Sequence, residues 1–255
     1  MRSVELFAGA GGLAMGMANA GFHHAAVIEW DADACETFRQ NQQHHVPLLE
    51  DWPLHQADVR QFDYSSIGAD VMVVSGGPPC QPFSLGGKHK GYRDERDMFP
   101  EAVRAVRELR PKAFIFENVK GLMRETFASY FGYIQLQLMY PGFVRGKGEN
   151  WKEHRERLER HHTSRRGRSE YKVIFQLLNA ADYGVPQRRE RVFMVGFRAD
   201  LGVQGSFPPE RKMGPAELFT GSGGRALGVE AAGSHHDTVV ERNKYCFRVP
   251  DGWPR

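Results

Sequence analysis

Short apolar runs alternate with helix-like patterns along most of the chain. The runs predicted as buried strands are 2–7, 24–30, 70–75, 113–117, 171–178 and 191–197, and helical patterns cover 8–21, 33–43 and 101–109. Strands that alternate with helices predict the α/β class, with a mostly parallel sheet covered by helices on both faces. Ligands of such sheets bind beyond the carboxyl ends of the strands, where we expect the functional residues to lie.

The pattern weakens after Phe197. Residues 198–255 contain many Gly and Pro residues and no long periodic segment. We therefore expect one main domain over 1–198. The region 199–255 is expected to begin another domain or to form a tail that binds a partner.

The composition is typical of a folded intracellular protein. Of 255 residues, 41% are hydrophobic and 25% are charged, which argues against a wholly disordered chain. No apolar run approaches the ~18 residues of a membrane span, and the N-terminus lacks a secretory core, so we expect a cytoplasmic protein. Three cysteines without a CxxC pair disfavour a disulfide framework and a structural zinc site, and no metal is expected.

Positive charge is concentrated in one segment. Residues 145–172 contain ten Lys and Arg residues against five Asp and Glu residues, whereas the whole chain carries only +3. Such a segment is expected either to contact phosphates or to form a solvated helix with paired charges. The sequence leaves both alternatives open.

A glycine-rich turn at 7–13 follows the first predicted strand and precedes a helix. Such a turn brings backbone N–H groups close to a ligand, although it also occurs as a plain connection. The second strand ends in Glu29, whose carboxylate can accept hydrogen bonds from ribose hydroxyls, and Trp30 offers a flat face for a purine. Farther on, Asp58 and Val59 supply a carboxylate and an N–H for an adenine edge. Together these features predict a cofactor that contains a nucleoside.

A second group of reactive side chains follows later strands. Cys80 lies in a proline-stiffened loop, GGPPCQPFS at 76–84, which favours a reactive thiolate over an inert cysteine. Glu117 ends the next strand and is expected at the same edge of the sheet. In the extended segment before the last strand, Arg189 and Arg191 point to one side, as suits a phosphate or a carbonyl oxygen.

These motifs resemble the cytosine-C5 DNA methyltransferases over about residues 3–198. The matching stretches are ELFAGAGG at 5–12, GGPPCQPFS at 76–84, ENV at 117–119 and YGVPQRRER at 183–191. The resemblance implies a Rossmann-like fold that binds S-adenosylmethionine without a metal. It also implies double-stranded DNA as substrate and a role in a restriction–modification system.

The resemblance also implies roles for individual residues. Around S-adenosylmethionine it places Phe7, Ala8, Gly9, Ala10, Gly11, Gly12, Leu13, Glu29, Trp30, Asp58, Val59, Pro78 and Met98. It assigns catalysis to Cys80, Glu117, Asn118, Arg189 and Arg191, and contacts with DNA to Gln81, Ser84, Lys88 and Lys90. Cys80 would add to C6 of a flipped-out cytosine, Glu117 would bind N3 and the exocyclic amine, and Arg189 would hold O2.

The chain departs from the family pattern after residue 198. We find neither a complete target-recognition region nor the closing elements that return to the cofactor pocket. The chain is therefore expected to be a truncated chain, a degenerate protein or the larger subunit of a split enzyme that needs a second polypeptide. The alternatives to an active DNA enzyme are a non-catalytic remnant or regulatory binding module with this fold and, less favoured, a tRNA cytosine-C5 methyltransferase.

Overall fold

The computed structural model describes residues 1–68, 70–79, 97–164 and 167–210, together with the backbone of two short strands at 216–218 and 238–240. The strands of the main sheet are β1 (Arg2–Leu6), β2 (His23–Glu29), β3 (Leu54–Gln56), β4 (Val73–Gly76), β5 (Ala113–Val119), β6 (Tyr171–Asn179) and β7 (Glu190–Arg198). The helices in the described part are α1 (Gly12–Asn19), α2 (Ala32–Gln43), α3 (Phe99–Leu109), α4 (Ala128–Met139) and α5 (Trp151–Thr163). None of these helices is long and apolar enough to cross a membrane.

The seven strands form one sheet in the order β3-β2-β1-β4-β5-β7-β6. The neighbours from β3 to β5 pair in parallel, and β7 runs antiparallel to β5. This mostly parallel arrangement confirms the predicted α/β, Rossmann-like class. It brings the carboxyl ends of β1, β2, β4 and β5 to one edge of the sheet, where the polar motifs follow the strands.

The strands are nearly continuous apolar runs in the sequence because the sheet is buried in the core. Val4, Leu6, Ile28 and Phe116 are fully buried, as expected for strands covered on both faces. Close packing explains why residue 76, at the end of β4, is a glycine. A Cβ atom there would lie 2.3 Å from the backbone oxygen of Leu6, so this close approach of β1 and β4 requires glycine.

The chain divides into two compact units. The first contains Met1–Leu177 and Arg191–Phe207, and the second contains Leu178–Glu190 and Pro208–Arg255. In the second unit, the strand Ala216–Leu218 pairs in parallel with Thr238–Val240. The predicted functional division into a catalytic part over 1–198 and a recognition or partner-binding region over 199–255 stays a prediction.

The described part of the basic segment contains helix α5. Its first turn is fixed by a capping box, in which Asn150 and Glu153 each accept a hydrogen bond from the other's backbone N–H. Arg155 pairs with Glu159 one turn later, at 2.7 Å. These contacts favour the helical alternative, and the expected contact with phosphates stays a prediction.

Candidate cofactor and catalytic site

A cavity of about 520 Å³ lies at the carboxyl ends of β1, β2 and β4. Seven of the predicted cofactor residues line it: Phe7, Gly9, Glu29, Trp30, Asp58, Val59 and Met98. Five further residues complete the lining: Ile28, Ala57, Arg60, Gly77 and Pro79. Among the described residues, the predicted positions that do not line it are Ala8, Ala10, Gly11, Gly12, Leu13 and Pro78.

The turn between β1 and α1 has an unusual backbone. Phe7 and Gly9 both have a φ of 53°, and Gly11 has a φ of 86°. Gly11 is also the residue before the first turn of α1, where a Cβ atom would lie 2.8 Å from the ring of Phe38. Gly11 therefore allows α1 to pack closely on α2, whereas Gly9 faces the cavity.

The carboxylate of Glu29 organises one side of the cavity. Its Oε2 accepts a hydrogen bond from the N–H of Gly9 at 2.7 Å. Its Oε1 accepts two more, from the N–H groups of Trp30 at 2.9 Å and Asp31 at 2.8 Å. Glu29 is buried, but the side chain of Trp30 beside it is exposed. The carboxylate oxygens have further lone pairs that can accept hydrogen bonds from a ligand.

Asp58 follows β3 and lines the cavity together with Arg60, which was not among the predicted site residues. Asp58 Oδ2 accepts hydrogen bonds from Arg60 Nη2 at 2.6 Å and Nε at 2.9 Å. Asp58 Oδ1 accepts one from the backbone N–H of Arg60 at 2.9 Å. The Arg60 side chain lowers the pKa of Asp58 through these hydrogen bonds, which favours the ionised acceptor. The sequence does contain a signal for this contact between Asp58 and Arg60, namely an acidic residue two positions before an arginine in a short turn.

A second arginine supports this side of the cavity from helix α3. Arg104 donates hydrogen bonds to the backbone oxygens of Val59 and, at 3.3 Å, of Phe62. It is held in turn by Glu101 at 2.8 Å. Its guanidinium lies 4.7 Å from the ring centre of Tyr64. The backbone that follows Asp58 is thus tied to α3, a long-range contact that the sequence pattern does not contain.

The predicted catalytic acid lies one strand away from the cavity. Glu117 near the end of β5 forms an ion pair with Arg191 of β7, with Oε1 and Nε 2.8 Å apart. The antiparallel register creates this pair because Arg191 lies opposite Val119, two residues beyond Glu117. A Cβ atom on Gly77 would lie 3.5 Å from Glu117 Oε2. Gly77, which lines the cavity, therefore lies between the cavity and the carboxylate of Glu117.

Asn118 fixes the backbone just before the cysteine loop. Its Nδ2 donates a hydrogen bond to the backbone oxygen of Pro78 at 2.9 Å, and its Oδ1 accepts one from the N–H of Val119 at 2.9 Å. Asn118 and Pro78 are both buried, whereas Pro79 is exposed and lines the cavity. The backbone between the end of β4 and Cys80 is thus held in position by Asn118.

Several predicted residues are not placed in this site by the structure. Cys80, Gln81, Ser84, Lys88 and Lys90 lie outside the described residues. Arg189 belongs to the second unit, where it is exposed and its N–H donates to Asn179 Oδ1 at 3.1 Å. Within the described ranges, no group of three or more His, Cys, Asp or Glu side chains is arranged to hold a metal ion.

Comparison with known proteins gives a consistent result. The sequence model of the family described as C-5 cytosine-specific DNA methylase matches residues 1–143 and 154–215. The chain is 39% identical over 196 residues to the type II methyltransferase M.NgoMIV of Neisseria gonorrhoeae, covering 77% of this chain and 51% of that protein. It is 36% identical over 221 residues to M.AquIA of Picosynechococcus, covering 84% of this chain and 77% of that one.

Solved structures agree in fold. A protein described as a DNA modification methyltransferase encoded within a prophage of E. coli has a TM-score of 0.56 and 27% identity, covering 81% of this chain and 49% of that one. The Dnmt2 methyltransferase of S. pombe has a TM-score of 0.50 at 16% identity, covering 81% of this chain and 51% of that one, and supports the fold alone. This chain spans about half the length of the Neisseria relative and of both solved proteins.

Proposed function

The chain belongs to the C-5 cytosine-specific DNA methylase family, and we propose from this premise that it transfers a methyl group from S-adenosylmethionine to C5 of cytosine in a specific sequence of duplex DNA. One observation carries the proposal: Gly77 lines the cavity on one side and faces the carboxylate of Glu117 on the other. A cofactor in the cavity and a base held by Glu117 would therefore meet at the end of β4, where the loop with Cys80 begins.

The cavity suits S-adenosylmethionine in size and chemistry. Its volume of about 520 Å³ is within the range of small-molecule sites. Glu29 presents a fixed carboxylate to the ribose, Trp30 offers a face to the adenine, and Asp58 offers an acceptor to the adenine amino group. Bound there, S-adenosylmethionine would supply a methyl group on a positively charged sulfur. Met98 and Pro79 would close the wall nearest the strand ends.

Cys80 is the proposed nucleophile. Its thiolate forms a bond to C6 of the cytosine, and the electron pair of the C5–C6 double bond makes C5 nucleophilic. After C5 has gained the methyl group, a base removes the C5 proton. The electron pair of that C–H bond re-forms the C5–C6 double bond and expels Cys80 as thiolate. The chain is thereby returned to its starting state.

Glu117 and Arg191 assist the addition. When it carries a proton taken from solvent, Glu117 donates to N3 of the ring and accepts from the exocyclic amine, so the charge that develops on addition is neutralised. The ion pair with Arg191 orients this carboxyl group while the base is absent. Asn118 holds Pro78, and so fixes the backbone before the nucleophile. Arg189 is proposed to bind O2 of the cytosine.

Duplex DNA is the proposed substrate because the family acts on DNA and its named bacterial relatives are type II methyltransferases. The target atom is inaccessible inside a duplex, so the base must flip out. Gln81, Ser84, Lys88 and Lys90 are proposed contacts with the vacated stack and the backbone. The cytoplasm of a bacterial cell is the proposed location.

A second polypeptide is a further proposed partner. The exposed side chain of Trp30 at the rim of the cavity supports this proposal, because an adenine stacked on it needs a second wall. In the alternative, the chain is a binding module that kept the fold and lost the reaction. Methyl transfer by the chain alone, and then with a candidate partner, distinguishes these states.

The direct test follows radioactive methyl groups from S-adenosylmethionine into unmethylated DNA, with sequencing of the product for 5-methylcytosine. We expect label in one short sequence, lost in Cys80→Ser and kept in Cys246→Ser, the matched control. Label that survives Cys80→Ser would contradict the mechanism. Cofactor binding without label, both alone and with a partner, would favour the binding module.

A further inference from the structure

The family match skips residues 144–153, and this segment leads into helix α5. Trp151, the first residue of α5, packs against two tyrosines of α4. Its ring centre lies 5.4 Å from that of Tyr130, in an edge-to-face arrangement, and 5.7 Å from that of Tyr133. The part of the chain that the family model does not cover therefore joins the core beside α4.

Helix α5 is firmly held in this position. His154 is buried between the hydroxyl of Tyr133, 2.8 Å from its Nδ1, and the backbone oxygen of Phe143, 2.9 Å from its Nε2. Arg157 pairs with Glu149 at 2.8 Å, and its guanidinium lies 4.3 Å from the ring centre of Phe143. These contacts fix α5 to α4 and to the turn that follows α4.

Tyr130 extends this support to the wall of the cavity. Its hydroxyl donates a hydrogen bond to Oδ2 of Asp97, whose Oδ1 accepts one from the N–H of Phe99 at 3.2 Å. Met98 lies between these two residues and lines the cavity. The N–H of Met98 donates a hydrogen bond of 3.4 Å to the backbone oxygen of Pro79, another lining residue.

We propose that Tyr130 is a positioning residue for the cofactor cavity: supported by Trp151 of α5, it holds Asp97 and thereby sets the position of Met98. This inference rests on the proposed function in one respect, the identity of the ligand as S-adenosylmethionine. The physical reason is preorganisation, since a wall that is already fixed loses less conformational freedom when the ligand binds. The segment 144–163 thus has a task within this chain besides any contact with phosphates.

The test compares Tyr130→Phe with Tyr133→Phe. Both substitutions remove one buried tyrosine hydroxyl that is hydrogen-bonded to a side chain, and both keep the ring against Trp151. Only the first removes a contact of Asp97. We expect similar losses of thermal stability, but a loss of affinity for S-adenosylmethionine of about threefold to tenfold in Tyr130→Phe alone.

A readout without ligand separates this inference from the proposed function. With methyl-labelled methionines, and Met98→Leu to assign the signal, the Met98 methyl resonance should shift in Tyr130→Phe and stay in place in Tyr133→Phe. Equal effects of the two variants on Met98 and on affinity would overturn the inference. If the native chain does not bind the cofactor, the proposed function fails, while the Met98 resonance still decides this inference.

A double-mutant cycle tests the contribution of α5. Trp151→Leu removes the ring beside Tyr130, so its effect on the Met98 resonance and on affinity should be smaller in a Tyr130→Phe background. Effects that simply add would show that α5 does not act through Tyr130.

Discussion

Glu29 accepts a hydrogen bond of 2.7 Å from the backbone N–H of Gly9, and this contact joins the end of β2 to the turn after β1. Glu29 therefore shapes the cavity before any ligand is present. The same carboxylate accepts from Trp30 and Asp31, so one buried side chain binds three backbone N–H groups in two segments around the proposed ribose site. Much of the geometry of the cavity depends on this single acid.

Glu29→Gln should weaken binding of S-adenosylmethionine by at least about tenfold. The amide has one acceptor in place of two, so at least one backbone N–H loses its charge-assisted partner, at a cost of roughly 1.5–3 kcal/mol. Titration calorimetry measures the affinity. Glu36→Gln on the exposed face of α2 is the matched control and should leave the affinity unchanged. Equal affinities of wild type and Glu29→Gln would contradict the assigned role.

Asn118→Ala should reduce the rate of methyl transfer by about tenfold or more while the affinity for S-adenosylmethionine stays nearly constant. The substitution removes the donor to Pro78 and frees the backbone that leads to Cys80. Single-turnover kinetics measure this rate. Asn150→Ala removes the cap of α5 and should lower stability by about 1 kcal/mol without slowing the reaction at saturating S-adenosylmethionine. Equal rates in both variants would exclude a positioning role for Asn118.

Arg60→Gln should weaken binding of S-adenosylmethionine several-fold. Asp58 loses its ion pair and the orientation of both of its oxygens, although the exposure of Arg60 limits the effect. Arg39→Gln, which changes a half-buried arginine of α2, is the control. Because Arg60 lowers the pKa of Asp58, the loss should grow as the pH falls toward the ordinary pKa of an aspartate. A loss that is independent of pH would argue against this explanation.

A buried acid in β1 makes stability depend on pH. Burial raises the pKa of Glu5 from its ordinary value of 4.5 to about 8, although the hydroxyl of Ser75 donates a hydrogen bond to the carboxylate. The folded chain thus keeps a proton that the unfolded chain releases. The stabilisation is fully present below pH 4.5 and is lost as the pH rises toward about 8.

Glu5→Gln tests this dependence. Relative to Glu5→Gln, the free energy of unfolding of the wild type should fall by about 1.4 kcal/mol per pH unit within that window. Denaturant unfolding at pH 6 and pH 7.5 measures the difference. Ser75→Ala should raise the pKa of Glu5 further, and the decline should then continue to higher pH. A constant difference between wild type and Glu5→Gln would refute the buried protonated acid.

Local patterns were sufficient to predict most strands of the sheet and the acids at strand ends. β1, β2, β5, β6 and β7 begin and end within two residues of the predicted runs, because each is a short segment rich in apolar residues. Glu29 was predicted because it is an acidic residue at the end of such a run.

The features that sequence analysis missed depend on contacts distant in the chain. Helix α4 was not predicted because buried aromatic residues lie on several of its sides and leave no polar stripe. The three residues of β3 are too few to form a pattern. The burial of Glu5 and the contacts of Arg104 with the turn after Asp58 depend on the order of the strands, which no local pattern specifies.

The covalent bond between Cys80 and C6 is the central claim. In DNA that contains 5-fluorocytosine, the C5 position carries fluorine instead of a removable proton, so Cys80 cannot leave after methyl transfer. We expect a stable protein–DNA adduct in the presence of S-adenosylmethionine, and mass spectrometry should locate it on the peptide that contains Cys80. An adduct on another residue, or methyl transfer to ordinary DNA without any trapped adduct, would contradict the account.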